Sequence, residues 1–207
     1  MKYRLILSDV DSTLIAAEVI DRLAQVAGVG SEVAAITERA MKGELDFEAA
    51  LRQRVAMLAG LPESVFKEVS NSIEFSPGAE ELMAYCRENE IRFGVVSGGF
   101  LQVLGELGLV DRSNFTRANT LEVIDGILTG ELVGEIVDRK AKAQALRDFA
   151  AIQQVPLDQT VAIGDGANDI EMVQLAGLGV SFRGKQALTE VADVRLTSSL
   201  VELLPYL

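Results

Sequence analysis

Short apolar segments alternate with amphipathic helical segments along much of the chain, and this order strongly restricts the fold. Segments of strand length lie at residues 3–8, 92–96, 160–163, 179–182 and 193–196. Strands that alternate with helices are typical of a parallel sheet with helices on both faces. The pattern therefore predicts an α/β protein with a doubly wound, Rossmann-like parallel sheet.

A long interval near the amino terminus has helical periodicity instead. Helical segments lie at 16–27, 31–41, 47–59 and 62–71. We expect residues 15–72 to form an inserted α-helical cap, and residues 1–14 and 73–207 to form the core domain.

Local signals in the core predict a hairpin and two helices. Asp125-Gly126 between short apolar runs predicts a small β-hairpin. Ser76 is expected to cap a helix at 78–90, with Pro77 at its first position. A second helix is expected at 100–107, ended by Gly108.

Two aspartates separated by one residue, Asp9 and Asp11, follow the first predicted strand. In an extended chain such residues point the same way, so both carboxylates emerge at the carboxyl end of a strand. Open α/β sheets bind ligands there, and two like charges at close range require a cation or a shared proton. The alternative is a polar strand end with helix-capping Ser and Thr.

A second acidic group favours the metal interpretation. Asp165 follows the strand at 160–163, between glycines that allow a tight turn, and Asn168 and Asp169 come shortly after it. Carboxylate oxygens are the ligands that Mg²⁺ prefers. The predicted oxygen ligands are Asp9, Asp11, Asp165 and Asp169.

Two further segments suggest phosphate binding. Ser97-Gly98-Gly99 joins the strand at 92–96 to a predicted helix, where backbone amides could bind an anion, although such a turn is more often only a connector. Lys142 lies in a helical segment at 139–151. By composition it is a solvated surface lysine, no different from Lys140.

The order and spacing of these segments resemble the four motifs of the haloacid dehalogenase superfamily of phosphohydrolases. The matching segments are Asp-x-Asp-x-Thr at 9–13, Ser-Gly-Gly at 97–99, Lys142, and Gly-Asp-Gly-x-Asn-Asp at 164–169. Within that superfamily the chain resembles the phosphoserine phosphatase family, with further similarity at 40–43, 46–47, 52–55, 61–62 and 128–134. The resemblance covers nearly the whole chain and selects Lys142 over Lys140.

This resemblance implies a reaction and the residues that perform it. Asp9 would be the nucleophile that forms an aspartyl phosphate, and Asp11 the general acid and base. The metal would be Mg²⁺, held by Asp9, by the backbone carbonyl of Asp11 and by Asp165, with Asp169 in support. The phosphate would contact Ser97, Gly98, Lys142 and Asn168. The reaction would be hydrolysis of O-phosphoserine to serine and phosphate, the last step of serine biosynthesis.

One cap residue stands out without the resemblance. On a helical wheel Arg54 lies within an apolar stripe formed by Phe47, Leu51 and Leu58. A buried guanidinium needs an anion, which could be a substrate carboxylate or an internal cap glutamate, or the side chain could extend out to water. The resemblance implies the substrate carboxylate.

The resemblance completes the substrate site in the cap. It assigns Glu18 to the ammonium group of the substrate, and Met41 and Phe47 to its hydrocarbon part. From the sequence alone, Glu18 lies on the polar side of its helix and would be a solvated charge.

Composition limits the alternatives. A net charge of -12 disfavours nucleic acid and anionic membranes as partners, and the absence of histidine excludes histidine-based triads. The single cysteine, Cys86, is expected to be buried in its helix, and without a signal-peptide pattern a cytoplasmic location is expected.

Two other functions remain as alternatives. One is a related phosphatase or phosphotransferase acting on another small phosphomonoester. The other is a non-enzymatic receiver domain, which is disfavoured because it would be smaller and would not contain the helical insert. The oligomeric state stays open.

Overall fold

The computed structural model describes residues 2–207, with every side chain among them except that of Met41. The strands are β1 Leu5–Asp9, β2 Arg92–Phe100, β3 Phe115–Ile124, β4 Ile127–Val133, β5 Thr160–Gly164, β6 Leu178–Phe182 and β7 Val194–Leu196. They form one sheet in the order β4-β3-β2-β1-β5-β6-β7. Neighbouring strands are parallel except for β3 and β4. The predicted α/β architecture is confirmed.

Helices cover both faces of this sheet and fill the interval after β1. They are α1 Val19–Val26, α2 Gly30–Met41, α3 Phe47–Ala56, α4 Val65–Ser70, α5 Ala79–Glu88, α6 Leu101–Glu106, α7 Leu109–Arg112, α8 Arg139–Ile152, α9 Ile170–Leu175 and α10 Gln186–Thr189. Helices α1 to α4 lie in the segment predicted to form the cap, whose division from the core stays a prediction. Among the described residues, no helix is both long and apolar enough to cross a membrane.

The central strand β1 is buried on both faces because helices pack on each side of it. Leu5 and Leu7 belong to one apolar cluster, whereas Ile6 belongs to the other, and all three side chains are fully buried. Successive residues of a strand point to opposite faces, so a continuous apolar run serves both clusters. Cys86 of α5 is also buried, as predicted, and burial raises the pKa of its thiol to about 12.

Two predicted helix starts are wrong. β2 continues through Ser97-Gly98-Gly99 to Phe100, so α6 begins at Leu101 and not at residue 100. The added strand length comes from pairing with β3, which no local pattern reveals.

The predicted N-cap of α5, Ser76, is wrong as well. Gly78 occupies that position with φ +80°, and Ala79 is the first helical residue. A Cβ at Gly78 would clash with Ser199 Oγ and lie 2.7 Å from the backbone nitrogen of Val201, so packing against the carboxyl-terminal segment selects glycine there.

The predicted hairpin is confirmed, and it is part of the main sheet. Asp125 and Gly126 both have positive φ, as a two-residue hairpin turn of type I′ requires. The segment 60–63 after α3 pairs with this hairpin through three hydrogen bonds of 2.8 Å, from Gly60 N–H to Leu128 O, from Leu128 N–H to Leu61 O and from Glu63 N–H to Gly126 O.

Candidate active site

The predicted acidic and phosphate-binding residues lie together at the carboxyl ends of three adjacent strands. β1 pairs with β2 on one side and β5 on the other, and Asp9 at the end of β1 is level with Val96 of β2. This is the position where the order of a doubly wound sheet reverses and ligands bind. A cleft of about 150 Å³ opens there, lined by Asp9, Asp11, Glu18, Ile20, Phe47, Leu51, Arg54, Gly98, Gly99, Lys142, Asp165, Asn168 and Lys185.

A buried lysine joins two of the carboxylates. Lys142 Nζ lies 2.6 Å from Asp9 Oδ1 and 2.7 Å from Asp169 Oδ1, and all three side chains are nearly inaccessible to water. Burial by itself lowers the pKa of Lys142, but the charges of Asp9 and Asp169 raise it above its ordinary value. Lys140 is exposed on the same helix. The structure therefore separates two lysines that composition could not.

Asp9 and Asp165, which line the cleft, form a negative cluster with the buried Asp169. Carboxylate oxygens of Asp9, Asp165 and Asp169 lie within 4.8 Å of one another. Burial and the charge of Asp169 raise the pKa of Asp165 to about 6, and the same two causes raise that of Asp9 well above its ordinary value. One ammonium group offsets only part of this charge. Hard oxygen ligands with excess negative charge fit a divalent cation.

Asp169 also organises the turn that carries Asp165. Its Oδ2 accepts hydrogen bonds from the backbone N–H groups of Asp165 at 3.2 Å and Gly166 at 3.1 Å. A Cβ at Gly164 would clash with the side chain of Asp169, so the turn can close over this carboxylate only with glycine there.

The Asp11 carboxylate lies outside the three-carboxylate cluster and faces the start of α1. Its Oδ2 accepts a hydrogen bond of 3.1 Å from Val19 N–H, and its Oδ1 lies 3.5 Å from Ser97 Oγ. Burial and the nearby charge of Glu18 raise the pKa of Asp11 to about 7. A carboxyl group with that pKa can both give and take a proton near neutral pH.

The Ser-Gly-Gly segment forms the wall of the cleft at the end of β2. Ser97 Oγ accepts a hydrogen bond of 2.7 Å from Gly99 N–H, so this amide is occupied within the segment. Because α6 begins only at Leu101, the segment predicted to bind an anion lies at a strand end and not at a helix start.

On the cap side, Arg54 lines the cleft in a half-buried position. Its Nε donates to Ala50 O at 3.2 Å, and its Nη1 lies 3.4 Å from Thr37 Oγ1. Among the described residues, no carboxylate lies within 4 Å of this guanidinium, so the alternative of an internal ion pair is not what the structure shows. Burial lowers the pKa of Arg54, although the charges of Asp21 and Glu18 oppose this change.

Three other predicted substrate residues, Glu18, Phe47 and Asn168, line the same cleft as this arginine. Phe47 is 40% exposed, and a Cβ at Gly98 would lie 3.7 Å from its ring, so the ring faces the wall of the cleft. Glu18 is exposed directly before α1, and Asn168 lines the cleft beside Asp165. The side chain of Met41 lies outside the described side chains, so its role stays a prediction.

Two residues at the site escaped the sequence analysis. Asn119 of β3 is buried; its Nδ2 donates to Gly98 O at 2.8 Å, and its Oδ1 accepts from Val137 N–H at 2.8 Å. Lys185 lines the cleft after β6, and its backbone N–H donates to Asp165 O at 2.8 Å. The available signals were a polar residue just before the predicted hairpin and a lysine just beyond the strand predicted at 179–182.

Comparison with known proteins gives consistent matches. A family model for haloacid dehalogenase-like hydrolases matches residues 6–174. The chain is 54% identical over 194 residues to phosphoserine phosphatase SerB2 of Mycobacterium tuberculosis. The aligned region covers 94% of this chain and 47% of that protein. It is 48% identical over 193 residues to a phosphoserine phosphatase of Streptococcus thermophilus, with 93% and 90% covered. The chain thus spans about half the length of some curated relatives.

Solved structures match over the whole chain. A substrate-bound phosphoserine phosphatase complex has a TM-score of 0.91 at 40% identity, covering 100% of this chain and 99% of that one. A phospho-aspartyl intermediate analogue of phosphoserine phosphatase has a TM-score of 0.88 at 41% identity, covering 100% of both chains. The fold seen here is therefore that of these proteins.

Proposed function

The chain belongs to the haloacid dehalogenase-like hydrolase family, and we propose that it hydrolyses O-phosphoserine to serine and phosphate, the last step of serine biosynthesis. The observation that carries the proposal is the position of Arg54. Its guanidinium lines the same cleft as Asp9 and has no carboxylate partner among the described residues. A phosphate ester that also carries a carboxylate would supply the missing anion.

We infer that the cation is Mg²⁺, held by the carboxylates of Asp9 and Asp165 and by the backbone carbonyl of Asp11, with Asp169 in support. The cluster of carboxylate oxygens supports this assignment. When bound, Mg²⁺ supplies positive charge that offsets the repulsion between the carboxylates and the phosphate dianion.

In the first half of the reaction, Asp9 is the nucleophile. Lys142 holds Asp9 Oδ1 by a short hydrogen bond, so the other oxygen is free to attack phosphorus. The bond between phosphorus and the serine oxygen breaks as the bond to Asp9 forms. Asp11 gives its proton to the departing serine oxygen, which its raised pKa permits.

In the second half, Asp11 acts as a base. Having lost its proton, it takes one from a water molecule that attacks the aspartyl phosphate, which releases phosphate and restores Asp9. Proton transfer by a positioned carboxyl group contributes a factor of about 10² to 10⁴ to the rate. Ser97, Gly98, Lys142 and Asn168 would bind the phosphate oxygens throughout, as expected from the resemblance.

Substrate selection would depend on the cap. Arg54 would bind the substrate carboxylate and Glu18 its ammonium, with Phe47 and Met41 around the hydrocarbon part. The half-buried position of Arg54 supports this assignment, because a guanidinium that has already lost part of its hydration gains more from an anionic partner.

The test compares Arg54→Ala with Arg52→Ala on two substrates. We expect Arg54→Ala to lower kcat/KM for phosphoserine by an amount that corresponds to about 2 to 5 kcal/mol of transition-state stabilisation. The loss for phosphoethanolamine, which has no carboxylate, should be much smaller. Arg52 is a matched control, because it lies on the same helix but is exposed and paired with Glu48. Equal losses on both esters, or a wild-type preference for phosphoethanolamine, would favour the alternative of another small phosphomonoester as substrate.

A further inference from the structure

The loop from Asp9 to α1 contains a residue in an unfavourable backbone conformation. Ser12 has φ +59°, in the left-handed region that residues other than glycine rarely adopt. It directly follows Asp11, and its backbone N–H donates to Ala17 O at 3.1 Å, which closes the loop just before Glu18. Such conformations persist where the surrounding contacts enforce them, and they occur often at functional sites.

Among the described residues, the side chain of Ser12 has one hydrogen-bond partner, which is a residue of the cleft. Ser12 Oγ donates a hydrogen bond of 2.6 Å to Glu18 Oε1. Glu18 itself is exposed, and its side chain makes no capping hydrogen bond to α1. Among the described residues, no lysine or arginine lies within 4 Å of its carboxylate. The Ser12 hydroxyl is therefore the group that holds this carboxylate.

We propose that Ser12 is a positioning residue that fixes the Glu18 carboxylate for the ammonium group of the substrate. This inference rests on the proposed function, in which Glu18 binds that ammonium. An exposed glutamate samples many rotamers, and the entropy lost when a ligand immobilises it weakens binding. The hydroxyl occupies one acceptor site on Oε1 and leaves Oε2 for the ammonium. Ser12 touches no reacting atom, so its effect passes through Glu18.

Three variants separate the role of the Ser12 hydroxyl from the role of its backbone conformation. Ser12→Gly removes the hydroxyl and relaxes the positive φ, whereas Ser12→Ala removes the hydroxyl and keeps the strain. Ser12→Asn supplies an amide donor in a residue that tolerates this conformation. The readout is the ratio of kcat/KM for phosphoserine to kcat/KM for 3-phosphooxypropanoate, which replaces the ammonium by hydrogen.

We expect Ser12→Gly and Ser12→Ala to lower this ratio by about five- to tenfold, mainly through KM for phosphoserine, and Ser12→Asn to restore most of it. If Ser12→Gly keeps the wild-type ratio, the hydroxyl has no positioning role and the inference is wrong. Because Ser12→Gly relieves backbone strain, it remains informative if Ser12→Ala folds poorly.

Glu18→Gln separates failure of this inference from failure of the proposed function. If Glu18→Gln lowers the ratio and Ser12→Gly does not, only the role of Ser12 is overturned. If Glu18→Gln leaves the ratio unchanged, the ammonium assignment in the proposed function is wrong, and the role of Ser12 falls with it.

Discussion

At the scale of single residues, the proposed reaction depends on Asp9, which is expected to be both the nucleophile and a ligand of the metal ion. It is held by Lys142 on one oxygen, and it is expected to attack phosphorus with the other. An amide is a poor nucleophile, so Asp9→Asn should lower phosphate release from phosphoserine by at least about a thousandfold and prevent labelling of the chain by [³²P]phosphoserine. Asp111→Asn, which changes an exposed acid on α7, is the control. Labelling of Asp9→Asn at wild-type levels would contradict the proposed nucleophile.

Lys185 is the second residue that can be tested alone. It is an exposed cation at the rim of an acidic cleft, in a chain with a net charge of -12. Rim charges mainly affect the approach of a charged ligand. Lys185→Gln should lower kcat/KM for phosphoserine by about three- to tenfold and weaken its dependence on salt concentration. Lys185→Arg should retain both properties. Lys140→Gln removes the same charge from an exposed site, and an equal effect there would show that only net charge matters.

Residues of the site that depend on local pattern were predicted from the sequence, whereas those that depend on distant packing were not. Strand alternation alone was enough to place Asp9 and Asp11 at one strand end, and the helical wheel placed Arg54 among apolar neighbours. Lys142 needed the family resemblance, because its burial depends on how α8 packs against distant strands. Asn119 was missed because its partners, Gly98 and Val137, come from segments far away in the sequence.

At the scale of secondary structure, the close contact between β4 and the end of α3 can be tested by replacing a glycine of β4 with alanine. Gly130 in β4 has φ +88°, and a Cβ there would lie 3.0 Å from Ala59 Cβ and 3.1 Å from Ala56 O. Gly130→Ala should therefore lower the free energy of unfolding by about 2 to 4 kcal/mol in urea titrations. Gly134 has φ +80°, and a Cβ there would lie more than 4 Å from every described atom outside its chain neighbours, so Gly134→Ala should cost only about 1 kcal/mol. Equal costs would mean that backbone strain, and not crowding, explains both.

The two wrongly predicted helix starts, like the contact between α3 and β4, depend on packing or pairing with residues that are distant in the sequence. Local sequence signals predicted helix starts near Ser76 and at residue 100. In the structure, packing against Ser199 accompanies the later start of α5, and pairing of β2 with β3 accompanies that of α6. Neither partner is close in sequence. The hairpin turn at Asp125-Gly126 was predicted correctly because its conformation depends on those two residues alone.

At the scale of the whole molecule, the clustered carboxylates oppose folding unless a cation binds. Burial of Asp9 and Asp165 raises their pKa values, which means that their charged forms are unfavourable in the fold without a cation. Mg²⁺ at about 100 times its Kd should stabilise the chain by about 2.7 kcal/mol and raise its Tm by about 5 to 10 °C. Chelation should reverse the shift, and Asp165→Asn should reduce it, whereas Asp111→Asn should not. An unchanged Tm across a full Mg²⁺ titration would contradict the proposed metal site.

The fold class was the most predictable property of the whole chain. Alternation of strands and helices depends on composition and period, which the sequence carries directly. The strand order was not predicted, because it depends on pairing between segments that are far apart in the sequence. The meeting of the carboxylates was expected only from the general rule that ligands bind at strand ends in such sheets.

The pairing of the segment 60–63 with the hairpin also bears on self-association. An outer strand normally presents free amide and carbonyl groups that can template pairing with another chain and begin aggregation. Gly60 and Leu61 occupy such groups on Leu128 of β4. At the opposite margin of the sheet, β7 has only three residues. One margin is thus covered at its start, near the hairpin turn, and the other is short, so this large, mostly parallel sheet offers less free backbone for intermolecular pairing.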